Sequence, residues 1–139
     1  MHPGDLLLVG FDLKKHPQVI LSAYNDSAGI TREFNLNLLR RINRELHADF
    51  NPAMFEHYPV YDPGSGACKS YLVSLQEQVV HIGDDVEVRF DLHEPIYMEI
   101  SQKYSHDDIA QLAEQTGFEP VTEFRDHRQW FADCLWKRV

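Results

Sequence analysis

Four residues at alternating positions, Tyr97, Glu99, Ser101 and Lys103, could together do chemistry on a small polar ligand. They sit in the stretch Ile96-Tyr97-Met98-Glu99-Ile100-Ser101-Gln102-Lys103-Tyr104. In an extended chain the side-chain period is two, so these four share a side and Met98, Ile100 and Gln102 take the other. A strand of this kind packs its apolar side on a core. Its polar side can offer a carboxylate and a hydroxyl to a pocket. Taken alone, the stretch reads first as a half-buried strand with a solvated face.

Other candidates are sparser. Asp12 follows the apolar run Leu6-Leu7-Leu8-Val9 and falls just past a strand's carboxyl end, where open α/β sheets place ligands. Asn35, Asn37 and Asn43 interrupt a helical pattern, by specific hydrogen bonds or by solvent exposure. The eight histidines are scattered with no HxxxH pair, so nothing points to a metal. Cys68 and Cys134 lie far apart without a CxxC and read as two reduced thiols of a cytoplasmic protein, with a structural disulfide as the second alternative.

The chain of 139 residues is one domain's worth, and 43% hydrophobic with 12% aromatic residues suits a folded protein. Its net charge is −9, from 22 acidic and 13 basic residues. That balance argues against nucleic acid or an anionic membrane as partner. No apolar run is long enough to span a bilayer. The opening residues have neither the basic region nor the cleavage site of a signal peptide.

The elements that must position the candidates follow from periodicity and punctuation. Leu6 to Val9 reads as a strand buried on both faces, as in a parallel sheet. Pro17 opens a helix to Tyr24. After the turn Asn25–Gly29, a long amphipathic helix begins with Thr31 as N-cap and carries Phe34, Leu38, Leu39, Ile42 and Leu46 on its apolar face. Residues 55–61 and 68–74 form a hairpin, and 78–81 with 86–90 a second, so the middle of the chain reads as an antiparallel meander. Ser105 and Asp108 start a helix that stops at Gly117. Strands over 118–124 and 130–137 close the chain.

This order resembles the closing half of a Rossmann-like methyltransferase sheet, with its antiparallel last strand between two predecessors. The expected fold is therefore α/β (mixed α+β), interrupted by a helix-plus-antiparallel-meander insertion. Residues 1–16 and 104–139 belong to the sheet, and 17–103 form an inserted substrate-recognition domain.

Specific residues carry the resemblance further. Leu8-Val9-Gly10-Phe11-Asp12-Leu13-Lys14-Lys15, Ala23-Tyr24-Asn25-Asp26, Gly29-Ile30-Thr31, Phe34-Asn35, Ile42-Asn43-Arg44-Glu45-Leu46, Phe55-Glu56-His57 and Glu99-Ile100-Ser101 occur in colinear order. With them the chain resembles the C-terminal part of the histidine-specific, S-adenosylmethionine-dependent methyltransferases that begin ergothioneine biosynthesis. The resemblance implies that Tyr24 binds the substrate carboxylate and that Glu99 and Ser101 hold the imidazole. A methionine that lines the pocket in some members is replaced near Ser70, which leaves histidine or a related amino acid as substrate. The family's Gly-rich cofactor loop has no counterpart here, since Gly64-Ser65-Gly66 lies between hairpin strands. The expectation is a portion that is inactive alone, with a stand-alone binding module for histidine or a related small amine as the alternative. The Leu6–Val9 strand needs a neighbour on its outer edge, which implies a homo-oligomer or an N-terminal half.

Overall fold

The computed structural model describes residues 1–139. It is a mixed α/β structure whose chain divides into two compact units. One comprises Met1–His16, Asp62–Ala67 and Gln102–Val139, and the other Pro17–Tyr61 and Cys68–Ser101.

The first unit is built on three strands, β1 (Leu6–Asp12), β7 (Phe118–Arg125) and β8 (Phe131–Arg138), in the order β1-β8-β7. The central β8 runs antiparallel to both neighbours, pairing Val9 with Cys134 on one side and Glu123 with Cys134 on the other. The β7–β8 register shifts between Pro120 and Thr122. Proline donates no ladder hydrogen bond, and β7 tolerates it because it is an edge strand. Helix α3 (His106–Gln115) starts as its sequence demands: Ser105 Oγ accepts from the Asp108 N–H, and the Asp108 carboxylate accepts from the Ser105 N–H. Its Ile109 and Ala113 join Phe11, Leu13, Ala132, Cys134 and Trp136 in one buried cluster. Gly117 ends the helix with φ +75°.

The apolar run at the start of the chain is covered on one face only. Leu7 and Val9 pack against the cluster around Phe11, whereas Leu6 and Leu8 are 59% and 61% exposed. The reason is the strand's period of two, because β8 is the only strand paired with β1 and no further layer covers its second face.

The turn Asp62–Ala67 also belongs to this unit. The Asp62 carboxylate accepts from the Gly64 N–H, the Ser65 N–H and the Ser65 hydroxyl. Gly66 has φ +80°, and a Cβ there would collide with the Lys103 carbonyl and the Lys14 side chain. These glycines serve a tight, side-chain-capped turn.

The second unit contains α1 (Pro17–Tyr24), α2 (Ile30–Leu46), a short 3-10 turn (Pro52–Met54), β2 (Phe55–Asp62), β3 (Ala67–Ser74), β4 (Gln78–Ile82), β5 (Val86–Phe90) and β6 (Pro95–Gln102). The sequence reading needs correction in three places. First, the N-cap of α2 is Gly29, in the left-handed region, and not Thr31. The capping oxygens come from Asp26, which accepts from the N–H groups of Ile30 and Thr31 at 2.9 Å each. Those two bonds hold the Asp26 carboxyl down to about 2.

Second, the buried stripe of α2 is Asn35, Leu36 and Leu39, while Phe34, Leu38 and Leu46 are exposed. A polar residue thus takes a core position, and a hydrophobicity pattern cannot anticipate that. Leu36 and Leu39 pack with Phe50, Phe55, Leu72, Val80 and Phe90. Phe55 and Phe90 meet edge to face at 5.5 Å. Asn43 forms a two-way bond with the backbone of Phe50, Nδ2 to O at 2.7 Å and N to Oδ1 at 2.9 Å. Of the three asparagines, 35 and 43 therefore make specific bonds, and Asn37 is exposed.

Third, the strands do not form one meander. The sheet order is β2-β3-β6, and β4 pairs with β5 as a separate hairpin. Strand β6 therefore passes over the β4–β5 hairpin to join β3.

Candidate functional site

The alternation expected along β6 holds as far as Met98 and then breaks: Glu99 and Ser101 are partly buried, while Ile100, expected on the core side, is 51% exposed. Glu99 lies in β6, whose Ile96 and Met98 pack on the second unit's core. The alternation that buries those two turns Tyr97 outward, where it meets Tyr71 at 5.7 Å between ring centroids. Glu99 is partly buried and lines a cleft of about 250 Å³ with Phe34, Asn35, Asn37, Leu38, Arg41 and Met98. Helix α2 supplies one wall and β6 the other. The exposure of Phe34 and Leu38 has its use here, because they give the cleft an apolar side opposite a carboxylate.

A second cleft, about 580 Å³, is larger and is lined by Arg32, Glu33, Arg40, Glu56 and apolar neighbours. Three of its charges already satisfy one another: Glu33 accepts from Arg40 at 2.7 Å and pairs with Arg32 at 3.2 Å. The smaller cleft is the better candidate, because its acid has no such pairing among the contacts of β6 and a buried polar group stands behind it.

That group is His57. It occupies an inward position of β2 between Phe55 and Tyr61 and is 7% exposed. Its Nε2 lies 3.4 Å from Asn35 Nδ2, and Asn35 also donates to the Thr31 carbonyl at 3.0 Å. Burial holds the His57 imidazole below its ordinary range, against the opposing pull of the Glu99 and Asp26 carboxylates. The Glu99 charge therefore reaches His57, although the two lie far apart in sequence. His57 Nδ1 and the hydroxyl of Ser70, which is 1% exposed, are buried without a hydrogen-bond partner.

Tyr24 ends α1 and packs, partly buried, on the cluster of Ile20, Tyr61 and Cys68. Two residues later, Asp26 caps α2. Ser101 is partly buried near the end of β6. Neither Tyr24 nor Ser101 lines the Met98–Glu99 cleft. The fourth member of the alternating stripe, Lys103, lies beyond the end of β6 and in the first unit. It is 1% exposed and donates to Asp12 Oδ2 at 2.6 Å, with Lys15 on the other carboxylate oxygen at 2.5 Å. Asp12 is thereby committed to two lysines. Burial raises its carboxyl, and the two lysine hydrogen bonds outweigh that and lower it.

Sequence reasoning left Arg41 and the pairing of Asn35 with His57 out of the site. The position of His57 in the alternation of β2, between two inward aromatic residues, was the signal for its burial. No three side chains of His, Cys, Asp or Glu cluster to hold a metal ion. Cys68 and Cys134 are buried and form no disulfide. No helix is long and apolar enough to cross a membrane.

The second unit thus holds a largely apolar cleft between helix α2 and strand β6, with the Glu99 carboxylate on one wall. The chain belongs to the histidine-specific, S-adenosylmethionine-dependent methyltransferases, whose family model matches residues 1–138. It is 38% identical over 82% of its length to histidine N-alpha-methyltransferase of Mycolicibacterium smegmatis, and 39% over 81% to that of Mycobacterium tuberculosis. It is 31% identical over 88% of its length to ergothioneine biosynthesis protein 1 of Neurospora crassa. The chain spans 36% of each of the two bacterial relatives and 14% of the fungal one.

Proposed function

We propose that this chain is the substrate-binding and sheet-closing portion of an S-adenosylmethionine-dependent methyltransferase acting on the α-amino group of histidine or a related amino acid. The observation that carries the reading is Glu99, a carboxylate in a cleft whose other wall is Phe34 and Leu38. An imidazole suits that cleft: its ring faces are apolar and its N–H is a donor to the acid. Ser101, two residues on along β6, supplies a hydroxyl to the other ring nitrogen. Tyr24 reads the α-carboxylate from the junction of α1 and α2. Family membership and the names of the two bacterial relatives support histidine as the substrate.

The order β1-β8-β7, with β8 antiparallel between two strands, supports the reading of residues 1–16 and 104–139 as the end of a Rossmann-like sheet. Residues 17–103 are then the inserted recognition domain. In this reading the exposed Leu6 and Leu8 face of β1 is covered by a preceding half of the protein. The cofactor is not held by these residues. The Gly64-Ser65-Gly66 turn does not fit a cofactor loop, because Asp62 already occupies the N–H groups of Gly64 and Ser65. Transfer would then rest mostly on positioning of the amine, with the donor bound elsewhere in the polypeptide.

Titration calorimetry of the complete polypeptide with histidine tests this reading. A hydrogen bond to a charged group is worth roughly 1.5–3 kcal/mol, so Glu99→Ala should weaken binding about tenfold to a hundredfold. Unchanged affinity for histidine in that variant would refute the assignment.

A further inference from the structure

The second unit buries two polar atoms with no protein partner, His57 Nδ1 and Ser70 Oγ. Both lie on the inward face of the β2–β3 hairpin. The Leu75 N–H donates to the Met54 carbonyl at 2.9 Å, which sets the register. Counting back along the hairpin puts His57 across from Leu72, Pro59 across from Ser70, and Tyr61 across from Cys68. The packed pair of Tyr61 and Cys68 agrees with that count. His57 and Ser70 are therefore diagonal neighbours on one face, roughly 7 Å apart or somewhat less at Cβ. On the other side of β3, the Ser74 N–H donates to the Glu94 carbonyl, a register that sets the tilted rings of Tyr71 and Tyr97 across from each other and Ser70 across from Met98, a residue of the cleft wall.

The tautomer of His57 follows from its other nitrogen. The Asn35 atom 3.0 Å from the Thr31 carbonyl must be the amide nitrogen, since a carbonyl only accepts. The same nitrogen faces His57 Nε2 at 3.4 Å. Nε2 therefore accepts, and the ring proton sits on Nδ1. That leaves an N–H donor and a hydroxyl, both buried, within reach of one oxygen atom. Leaving both unmet would cost far more than ordering one molecule of water.

We propose that His57 is a positioning residue with a separate task for each ring nitrogen. Nδ1–H and Ser70 Oγ bind one buried water beneath the Met98–Glu99 cleft, and Nε2 holds the Asn35 amide in the cleft wall. The water anchors the ring from below, and the ring fixes the amide above. The part that concerns substrate rests on the reading of this cleft as the amino-acid site.

The test uses the complete polypeptide. A crystal structure should show a solvent oxygen within about 3.2 Å of both His57 Nδ1 and Ser70 Oγ. Nitrogen-15 spectra of histidine-labelled protein, with the ring assigned by its loss in His57→Asn, should give the neutral Nδ1–H form. A dry site, or a proton on Nε2, would overturn the proposal whatever the substrate is. Two variants divide the two tasks. His57→Gln places an amide near Nε2 and can still accept from Asn35. His57→Asn places one near Nδ1 and keeps the water. The expected result is a KM for histidine within about threefold of the parent in His57→Gln. In His57→Asn it should rise about tenfold with kcat retained, the effect of one lost neutral hydrogen bond. Equal damage in both would reduce His57 to a packing residue and refute the positioning role. A parent protein that does not bind histidine would refute the proposed substrate, and the water and tautomer would still decide this site.

Discussion

Lys103 Nζ stands 2.6 Å from Asp12 Oδ2, joining two residues 91 positions apart through a side chain that is almost wholly buried. Lys15 holds the second oxygen of the same carboxylate. The ammonium of Lys103 lies inside the first unit and depends on that charge, whereas Asp12 is 36% exposed and retains access to water. Removing one partner of a buried pair typically costs 3–5 kcal/mol, and the exposure of Asp12 puts this case at the low end. Asp12→Asn should therefore destabilise the protein by about 3 kcal/mol. Lys15→Ala should cost less than that, because it leaves Asp12 its bond to Lys103 and no buried charge unpaired. Urea unfolding of the complete polypeptide decides between them. Equal losses would mean that the buried lysine relies on other groups.

Acid should loosen the start of α3 as pH falls towards 2. Asp108 is held down to about 2, first by the Ser105 N–H, then by the Ser105 hydroxyl, then by Lys14 at 3.1 Å. A carboxyl lowered in the folded state stabilises above its ordinary value of 3.8 and loses that contribution as pH falls towards 2. His57 acts in the same direction over a higher window. Its folded value is lowered, so the unfolded chain takes up the proton first, and stability declines as pH drops below the ordinary 6.5. Melting temperatures of Asp108→Asn should be offset near neutrality, by up to about 1 kcal/mol for a lost carboxylate at a helix start, and converge with the parent near pH 2. A constant offset across that range would show that the Asp108 contacts do not carry the acid dependence.

Tyr24 should read the substrate carboxylate and nothing else. It sits where α1 gives way to the Asp26 cap of α2, held by Ile20, Tyr61 and Cys68. Histamine has the imidazole of histidine and lacks the carboxylate. Tyr24→Phe should weaken histidine binding about tenfold and leave histamine unchanged, in keeping with a hydrogen bond to a charged group. An equal loss for both ligands in calorimetry would assign Tyr24 to packing.

Local chemistry was legible in the sequence, and long-range pairing was not. Pro17, Ser105 with Asp108, and Gly117 mark helix ends where the structure has them, because capping involves neighbouring residues only. The cap of α2 was missed for the same reason turned round: Asp26 acts from four and five residues upstream, past a glycine in the left-handed region. The apolar face of that helix was misjudged because Asn35 is buried to meet His57, a contact 22 residues away. Hydrophobicity encodes burial of apolar groups and gives no sign of a polar pair that satisfies itself. The partner of β6 was likewise hidden. Sequential strands usually pair, yet β6 joins β3, a choice made by tertiary packing of Ile96 and Met98.

The outer edge of β1 makes the last prediction. In the sheet order β1-β8-β7 this strand is terminal, and its Leu6 and Leu8 are mostly exposed. An edge strand presents a row of unpaired N–H and C=O groups, which water satisfies at little cost. The apolar side chains beside that row are the driving force, because water does not compensate for them. Natural edges are blunted by charge, proline or a bulge, and the Leu6-Leu7-Leu8-Val9 segment has none of these. Expressed as these 139 residues alone, the chain should therefore form a homodimer or larger assembly through β1, and it should not methylate histidine. In the complete polypeptide the same edge should be covered and its amides protected. Sedimentation of the isolated chain at micromolar concentration tests the first point. Replacing Leu8 by Lys should shift the assembly to monomer without unfolding it, since that side chain points away from the Phe11 cluster. A monomeric parent with fast amide exchange across residues 6–9 would mean that the edge merely frays. A monomeric parent with those amides protected would mean that the chain covers its own edge, and the Rossmann-like reading of the first unit would fall with it.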